Sequence, residues 1–158
     1  MRDIPEYRKP DRYKASSYEA YNFKMPARYD SLFMVRFCQL PLWHRTVVET
    51  LRPEVKSADI LDVGCGTGSL LAGLARSGFT SLAGVDLAPR MLDVAREKLS
   101  AQHAHADLRV ADAEDSLPWT SESFDIAALT AALHHFYRPH DALREIRRVL
   151  RPGGRLLV

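Results

Sequence analysis

Ile60-Leu61-Asp62-Val63-Gly64-Cys65-Gly66-Thr67-Gly68-Ser69-Leu70-Leu71 decides how the rest of the chain is read. Its first four residues, three of them apolar, make a short buried strand. Gly64, Gly66 and Gly68 let the chain turn sharply and leave bare backbone for a ligand to approach. Leu70, Leu71, Leu74 and Ala75 then recur at helical spacing until Gly78 stops them. The start of that helix offers free N–H groups and partial positive charge, which suit a carboxylate or phosphate. A glycine turn alone is also what any tight strand-to-helix connection requires.

The same rhythm continues downstream. Leu82-Ala83-Gly84-Val85 runs into Asp86, and Pro89 stands where a first helical residue belongs. The spacing of Met91, Leu92, Ala95 and Leu99 predicts a helix to about Leu99. Leu108-Arg109-Val110-Ala111 reads as a third strand and Phe124 to Leu129 as a fourth. Asp141 to Leu150 reads as a helix that Pro152-Gly153-Gly154 stops, and Leu156-Leu157-Val158 begins a fifth strand. Apolar strands alternating with helices give parallel pairing and right-handed crossovers. The expected fold class is therefore α/β, an open, mainly parallel sheet covered on both faces. Ligands of such sheets sit beyond the carboxyl ends of the strands, where the strand order reverses.

The 158 residues amount to one domain, and 22 basic against 20 acidic side chains leave a net charge of +2. That balance gives no reason to expect nucleic acid as a partner. Cys38 and Cys65 form neither a disulfide framework nor a zinc or redox pair. No apolar signal region opens the chain. Its longest apolar stretch, Ile126 to Leu133, falls far below the roughly 20 residues of a transmembrane helix. The expected location is cytoplasmic. Residues 1–45 differ from the remainder: five of the six tyrosines precede residue 31, interleaved with Lys, Arg and offsetting acids. They read as an N-terminal helical, aromatic arm, with 46–158 as the α/β domain. From Leu32 to Leu51 one or two helices are expected, interrupted at Pro41 and ended at Pro53.

Asp86 lies at the end of the second strand, twenty positions after Gly66, where an acid that holds a ribose is expected. It also stands where it can cap the helix opening at Pro89. Asp112 and Ala113 follow the third strand. An acceptor beside a backbone N–H there reads an adenine edge, although a solvated loop acid is the plainer alternative. Together the features point to an adenosine-containing ligand. Gly-x-Gly-x-Gly is not the dinucleotide spacing, and no P-loop lysine follows.

Residues 61–68 resemble motif I of the class I S-adenosylmethionine-dependent methyltransferases. Gly84 to Leu92 resembles their acidic-loop motif, Ala111 to Trp119 with Ser123-Phe124-Asp125 their adenine loop, and Arg148 to Leu156 their closing motif. Phe23-Lys24-Met25-Pro26-Ala27-Arg28-Tyr29-Asp30 is similar to a segment of the ubiquinone and menaquinone biosynthesis methyltransferases, which carry a methyltransferase type 11 domain. The resemblance implies a Rossmann-like doubly wound sheet, S-adenosyl-L-methionine as cofactor with S-adenosyl-L-homocysteine as product, and a small-molecule methyl acceptor. It places Gly64, Gly66, Thr67 and Gly68 at the methionine half and Asp62 at its ammonium. Asp86 goes to the ribose, Leu87, Asp112 and Ala113 to the adenine, and Thr130 to the border of the methionine half. Tyr29 closes over the methyl-donor end or packs on the core, and the arm caps the cofactor site.

Catalytic candidates are few. His134 and His135 follow the fourth strand and stand where a base belongs, or where histidines fix a loop. Adjacent histidines rarely face one ion, so no metal is expected. The family sheet has seven strands, and this sequence reaches the fifth. The expectation is a sheet truncated there, with an apolar edge open to a second copy or a partner. A non-catalytic cofactor-binding or scaffold subunit is the alternative to an enzyme.

Overall fold

The structure, a computed structural model, describes residues 18–31 and 39–158. The expected arm is therefore described only in part, and Tyr7, Tyr13 and Cys38 lie outside the described residues. Five strands form one sheet: β1 (Ile60–Val63), β2 (Leu82–Asp86), β3 (Asp107–Val110), β4 (Phe124–Ala128) and β5 (Leu150–Leu157). Their order is β3-β2-β1-β4-β5, and every neighbouring pair is parallel. This is the doubly wound α/β sheet the pattern predicts, and the order reverses between β1 and β4. Parallel pairing brings the carboxyl ends of β1, β2, β3 and β4 to one rim, so that rim is where a ligand belongs.

Helices α1 (Leu40–Thr50), α2 (Ser69–Arg76), α3 (Pro89–Ser100) and α4 (Pro139–Val149) cover the faces. Successive residues of β1 point to opposite sides. Ile60 joins Leu70, Leu71, Leu74, Leu92 and Leu99 of α2 and α3 in one core. Leu61 and Val63 join Ile146 and Val149 of α4 in the other. A short π-helical turn, Ala20–Lys24, and a 3₁₀ turn, Pro26–Ser31, pack beside α3.

Pro41 stands in the first turn of α1, where a proline sacrifices no hydrogen bond, and residues 32–38 of the expected helical stretch lie outside the described residues. The last helix and the start of β5 differ from the sequence reading. The last helix starts at Pro139 and ends at Val149. Leu150 already pairs with Phe124, and residues 151–154 loop out before Arg155 pairs with Ile126. β5 thus starts six residues before Leu156, because strand pairing sets its beginning where the local Pro-Gly-Gly pattern marks only a break. No helix joins β3 to β4. Leu117 and Trp119 cover that face instead, Trp119 lying edge-on to Phe124 at 5.4 Å between ring centroids. Cys65 is a buried free thiol, its pKa raised first by burial.

Candidate functional site

The glycine turn has the geometry its sequence demands. Gly64, Gly66 and Gly68 have φ of +71°, +51° and +70°, the left-handed region that other residues enter at a cost. A side chain at 64 would also place Cβ 2.6 Å from that of Ala132, the residue that closes the turn from beyond β4. Gly68 has a different task from the other two. It caps α2 and lets that helix approach α3, with Ala95 Cβ 2.9 Å from where its own would be, and it does not line the cavity.

One cavity opens over the rim, and around it stand Asp62, Gly64, Gly66, Thr67, Asp86, Leu87, Asp112, Ala113 and Thr130. Every expected cofactor contact except Gly68 is among them, as is Tyr29. Each acid sits there because its strand ends there. Asp62 is buried near the end of β1, and its Oδ1 has no hydrogen-bond partner among the described residues. Burial and then the charge of Asp86 push its pKa up to about 8. Asp86 accepts from the Gly66 N–H at 2.8 Å and the Ala88 N–H at 2.9 Å. It therefore stitches the glycine turn to the start of α3 while facing the cavity. Burial raises its pKa, and those N–H groups oppose the rise. Asp112 accepts from the Glu114 N–H at 2.9 Å. After β4 the chain turns through Ala131, whose φ is +53°, and Thr130 faces the cavity.

The N-terminal segment supplies the opposite wall. Tyr18, Tyr21 and Tyr29 line the cavity, and Tyr21 meets Tyr29 edge-on at 6.0 Å. Asp30, next to Tyr29, is clasped by Lys98 Nζ at 2.5 Å and by the Thr67 hydroxyl at 2.6 Å. Thr67 lines the cavity, yet its hydroxyl donates to the arm. Burial pushes the Asp30 carboxyl up, but bonds from Lys98 and Thr67 outweigh it and leave the pKa below the ordinary value. His44 of α1 also faces the cavity, its pKa lowered by burial and then by Lys98 to about 4.

Of the two histidine candidates only His135 lines the cavity; His134 is exposed beside it, the rings 3.9 Å apart. Sequence reasoning missed His44, Asp30, Lys98 and Glu114. His44 lies on a helix whose pattern shows only amphipathicity. Glu114, buried, accepts from the Arg138 N–H and ties the loop after β3 to the start of α4. Tyr21 carried one signal, its place among the clustered tyrosines.

The donor set suits a cation bearing a nucleoside. An unpaired buried carboxylate oxygen suits an ammonium. Asp86 can take ribose hydroxyls, Asp112 beside Ala113 an adenine edge, and the turn before α2 a carboxylate. Aromatic faces suit a sulfonium.

Residues 61–158 match the methyltransferase domain family. The chain is 36% identical over 107 residues to a ubiquinone biosynthesis O-methyltransferase of Xanthomonas oryzae pv. oryzae, covering 68% of this chain and 44% of that protein. It is 34% identical over 155 residues to a ubiquinone/menaquinone biosynthesis C-methyltransferase of Azotobacter vinelandii, covering 94% and 60%. A solved S-adenosylmethionine-dependent methyltransferase from Mesorhizobium loti superposes with a TM-score of 0.60 at 30% identity, over 70% of this chain and 50% of that one. The chain thus spans about half the length of the relatives it matches. Among the described residues no helix is long and apolar enough to cross a membrane.

Proposed function

The chain belongs to the methyltransferase domain family, and from that premise we propose that its cavity binds S-adenosyl-L-methionine and directs the methyl group to a small-molecule acceptor. The observation that carries the reading is the buried Asp62 carboxyl, one oxygen of which has no partner among the described residues, set beside Asp86 over the glycine turn. Such a group is costly to bury in its ionised form, and a bound cation offsets that cost.

S-adenosylmethionine, when bound, supplies an already activated methyl. The protein therefore has to hold, align and dehydrate the reacting groups. Asp62 holds the ammonium end, Asp86 the ribose, and Asp112 with Ala113 the adenine edge, while Leu87 packs beside the ring. Gly64, Gly66 and the backbone of Thr67 border the methionine half with Thr130. We read residues 1–45 as the arm that closes this site and 46–158 as the part that binds the cofactor. Tyr18, Tyr21 and Tyr29 in the cavity wall support that reading, as does the Asp30 clasp that holds their segment down.

For the acceptor we propose a small hydroxylated aromatic of the quinol type. The aromatic wall, joined by Phe136, favours a flat ring. Relatives named for ubiquinone and menaquinone biosynthesis lend support.

Calorimetric titration with S-adenosylhomocysteine, which cannot react, tests the cofactor reading, with NAD as the comparison. Micromolar binding to the first and none to the second is expected. Asp86→Ala removes charge-assisted hydrogen bonds worth about 1.5–3 kcal/mol and should weaken binding about 10- to 150-fold. Unchanged affinity in that variant, or equal binding of NAD, would overturn the assignment.

A further inference from the structure

His135 enters the cavity in company. Its Nε2 lies 3.0 Å from the Tyr21 hydroxyl oxygen, and the two rings meet edge-on with centroids 5.2 Å apart. Tyr21 stands 114 positions earlier in the chain. The contact therefore joins the N-terminal wall of the cavity to the wall that follows β4, and both residues share the cavity with Asp62, Gly64 and Asp86. The other ring nitrogen, Nδ1, is buried with no hydrogen-bond partner among the described residues. An acceptor in the cavity thus reaches the imidazole through Nε2, and Tyr21 stands on that path.

We propose that Tyr21 and His135 form a proton-accepting pair for the acceptor's nucleophilic hydroxyl, in which the Tyr21 oxygen touches the acceptor and His135 takes up the proton through Nε2. The inference rests on the methyl-transfer reading above. The acceptor oxygen bonds to the methyl carbon as the carbon–sulfur bond breaks, and that electron pair stays on sulfur as a neutral thioether. The acceptor's proton passes to the Tyr21 oxygen while the tyrosine's own proton passes to Nε2. The imidazolium then returns its proton to water.

The surroundings suit this work. Burial, with a smaller contribution from His134, lowers the pKa of His135 to about 4, so the ring is neutral and able to accept at neutral pH. It is a weak base. However, a hydroxyl becomes far more acidic as its lone pair is drawn onto carbon, so a weak base suffices once transfer is under way. Tyr21 is the catalytic residue of the pair, and His135 acts through it.

The test compares wild-type protein with Tyr21→Phe and His135→Ala. S-adenosylhomocysteine affinity is measured first, then methyl transfer from tritium-labelled S-adenosylmethionine to catechol (1,2-dihydroxybenzene). Affinity for S-adenosylhomocysteine should stay within about threefold in both variants, which also shows that they fold. Each should lose about 10²- to 10⁴-fold in kcat with little change in KM. Millimolar imidazole should restore turnover to His135→Ala in a saturable way, as a merely structural role would not. Wild-type protein that fails to bind S-adenosylhomocysteine overturns the methyl-transfer reading and this inference with it. Binding without transfer to catechol, unchanged kcat in both variants, or a loss confined to KM overturns the inference alone.

Discussion

Raising the pH of a cofactor titration from 6 to 8 should tighten binding about 50-fold, and Asp62 is the reason. Its carboxyl lies in the interior at the end of β1, with Oδ1 unpartnered among the described residues. Burial and the neighbouring charge of Asp86 push its pKa up to about 8. At pH 7 about nine in ten free molecules therefore carry it neutral. An ammonium placed against it requires the carboxylate, so each binding event at pH 7 should release about 0.9 proton. Affinity should climb by up to about tenfold per pH unit below 8 and level off above, about 2.3 kcal/mol between pH 6 and 8. For folding, the raised pKa works in the other direction. The contribution of Asp62 to stability is fully present below the unfolded pKa of 3.8 and is lost as pH rises through about 8. The free protein should lose up to about 1.4 kcal/mol of stability per pH unit across that window from this group. The assay is calorimetry with S-adenosylhomocysteine at pH 6, 7 and 8, in two buffers of different ionisation enthalpy at each pH. Asp62→Asn should give a flat profile near the wild-type affinity at pH 6. A flat wild-type profile with no proton released at pH 7 would refute the reasoning, for the ammonium would then not meet this carboxyl.

Two further perturbations test the scaffold. Gly84→Ala would place a methyl 2.8 Å from Leu71 Cδ1 and 2.9 Å from both Cys65 Sγ and Leu108 Cδ2. Three packed side chains would have to move, so urea unfolding should show a loss of about 1–3 kcal/mol with an unchanged slope; a loss below about 0.5 kcal/mol would contradict the packing argument. Lys98→Met removes the ammonium that clasps Asp30. The lysine side chain is 22% exposed and its partner 47%, so the cost at pH 7 should stay below about 1 kcal/mol. Because the Asp30 pKa is lowered, that stability is present above its unfolded value of 3.8 and is lost as pH falls through the folded pKa. Wild type and variant should converge toward acid, and a difference that persists there would mean lost packing rather than lost charge.

The elements that local pattern controls were legible from residue order. Leu70 to Ala75 and Met91 to Leu99 repeat at helical spacing. The runs before Gly64 and Asp86 are short, apolar and punctuated. Because each strand ends where its turn begins, Asp86 and Asp112 could be placed on one rim from residue order, whereas Asp62 and Thr130 came from the resemblance to the methyltransferases. Where local pattern and long-range pairing compete, reading along the chain failed. Pro152-Gly153-Gly154 looks like a stop, yet Leu150 is already a strand because Phe124 pairs with it. The passage from β3 to β4, read from the sequence as a loop, is one, and Leu117 and Trp119 bury that face without a helix.

The sequence by itself determined the α/β class, the parallel sheet, the ring of acids at its carboxyl edge and a glycine turn that only small residues can make. These follow from periodicities of 2 and 3.6 and from φ values that side chains restrict, all local properties of the chain. The tertiary structure alone decided which groups meet across long separations. It turned Thr67 toward Asp30, brought Lys98 to both, and set His135 rather than His134 against Tyr21. It also left one oxygen of Asp62 buried without a partner among the described residues. Such contacts depend on how helices dock and loops close over the sheet. The charge state of the site depends on them in turn, because solvent exclusion and neighbouring charges set the pKa values of buried groups.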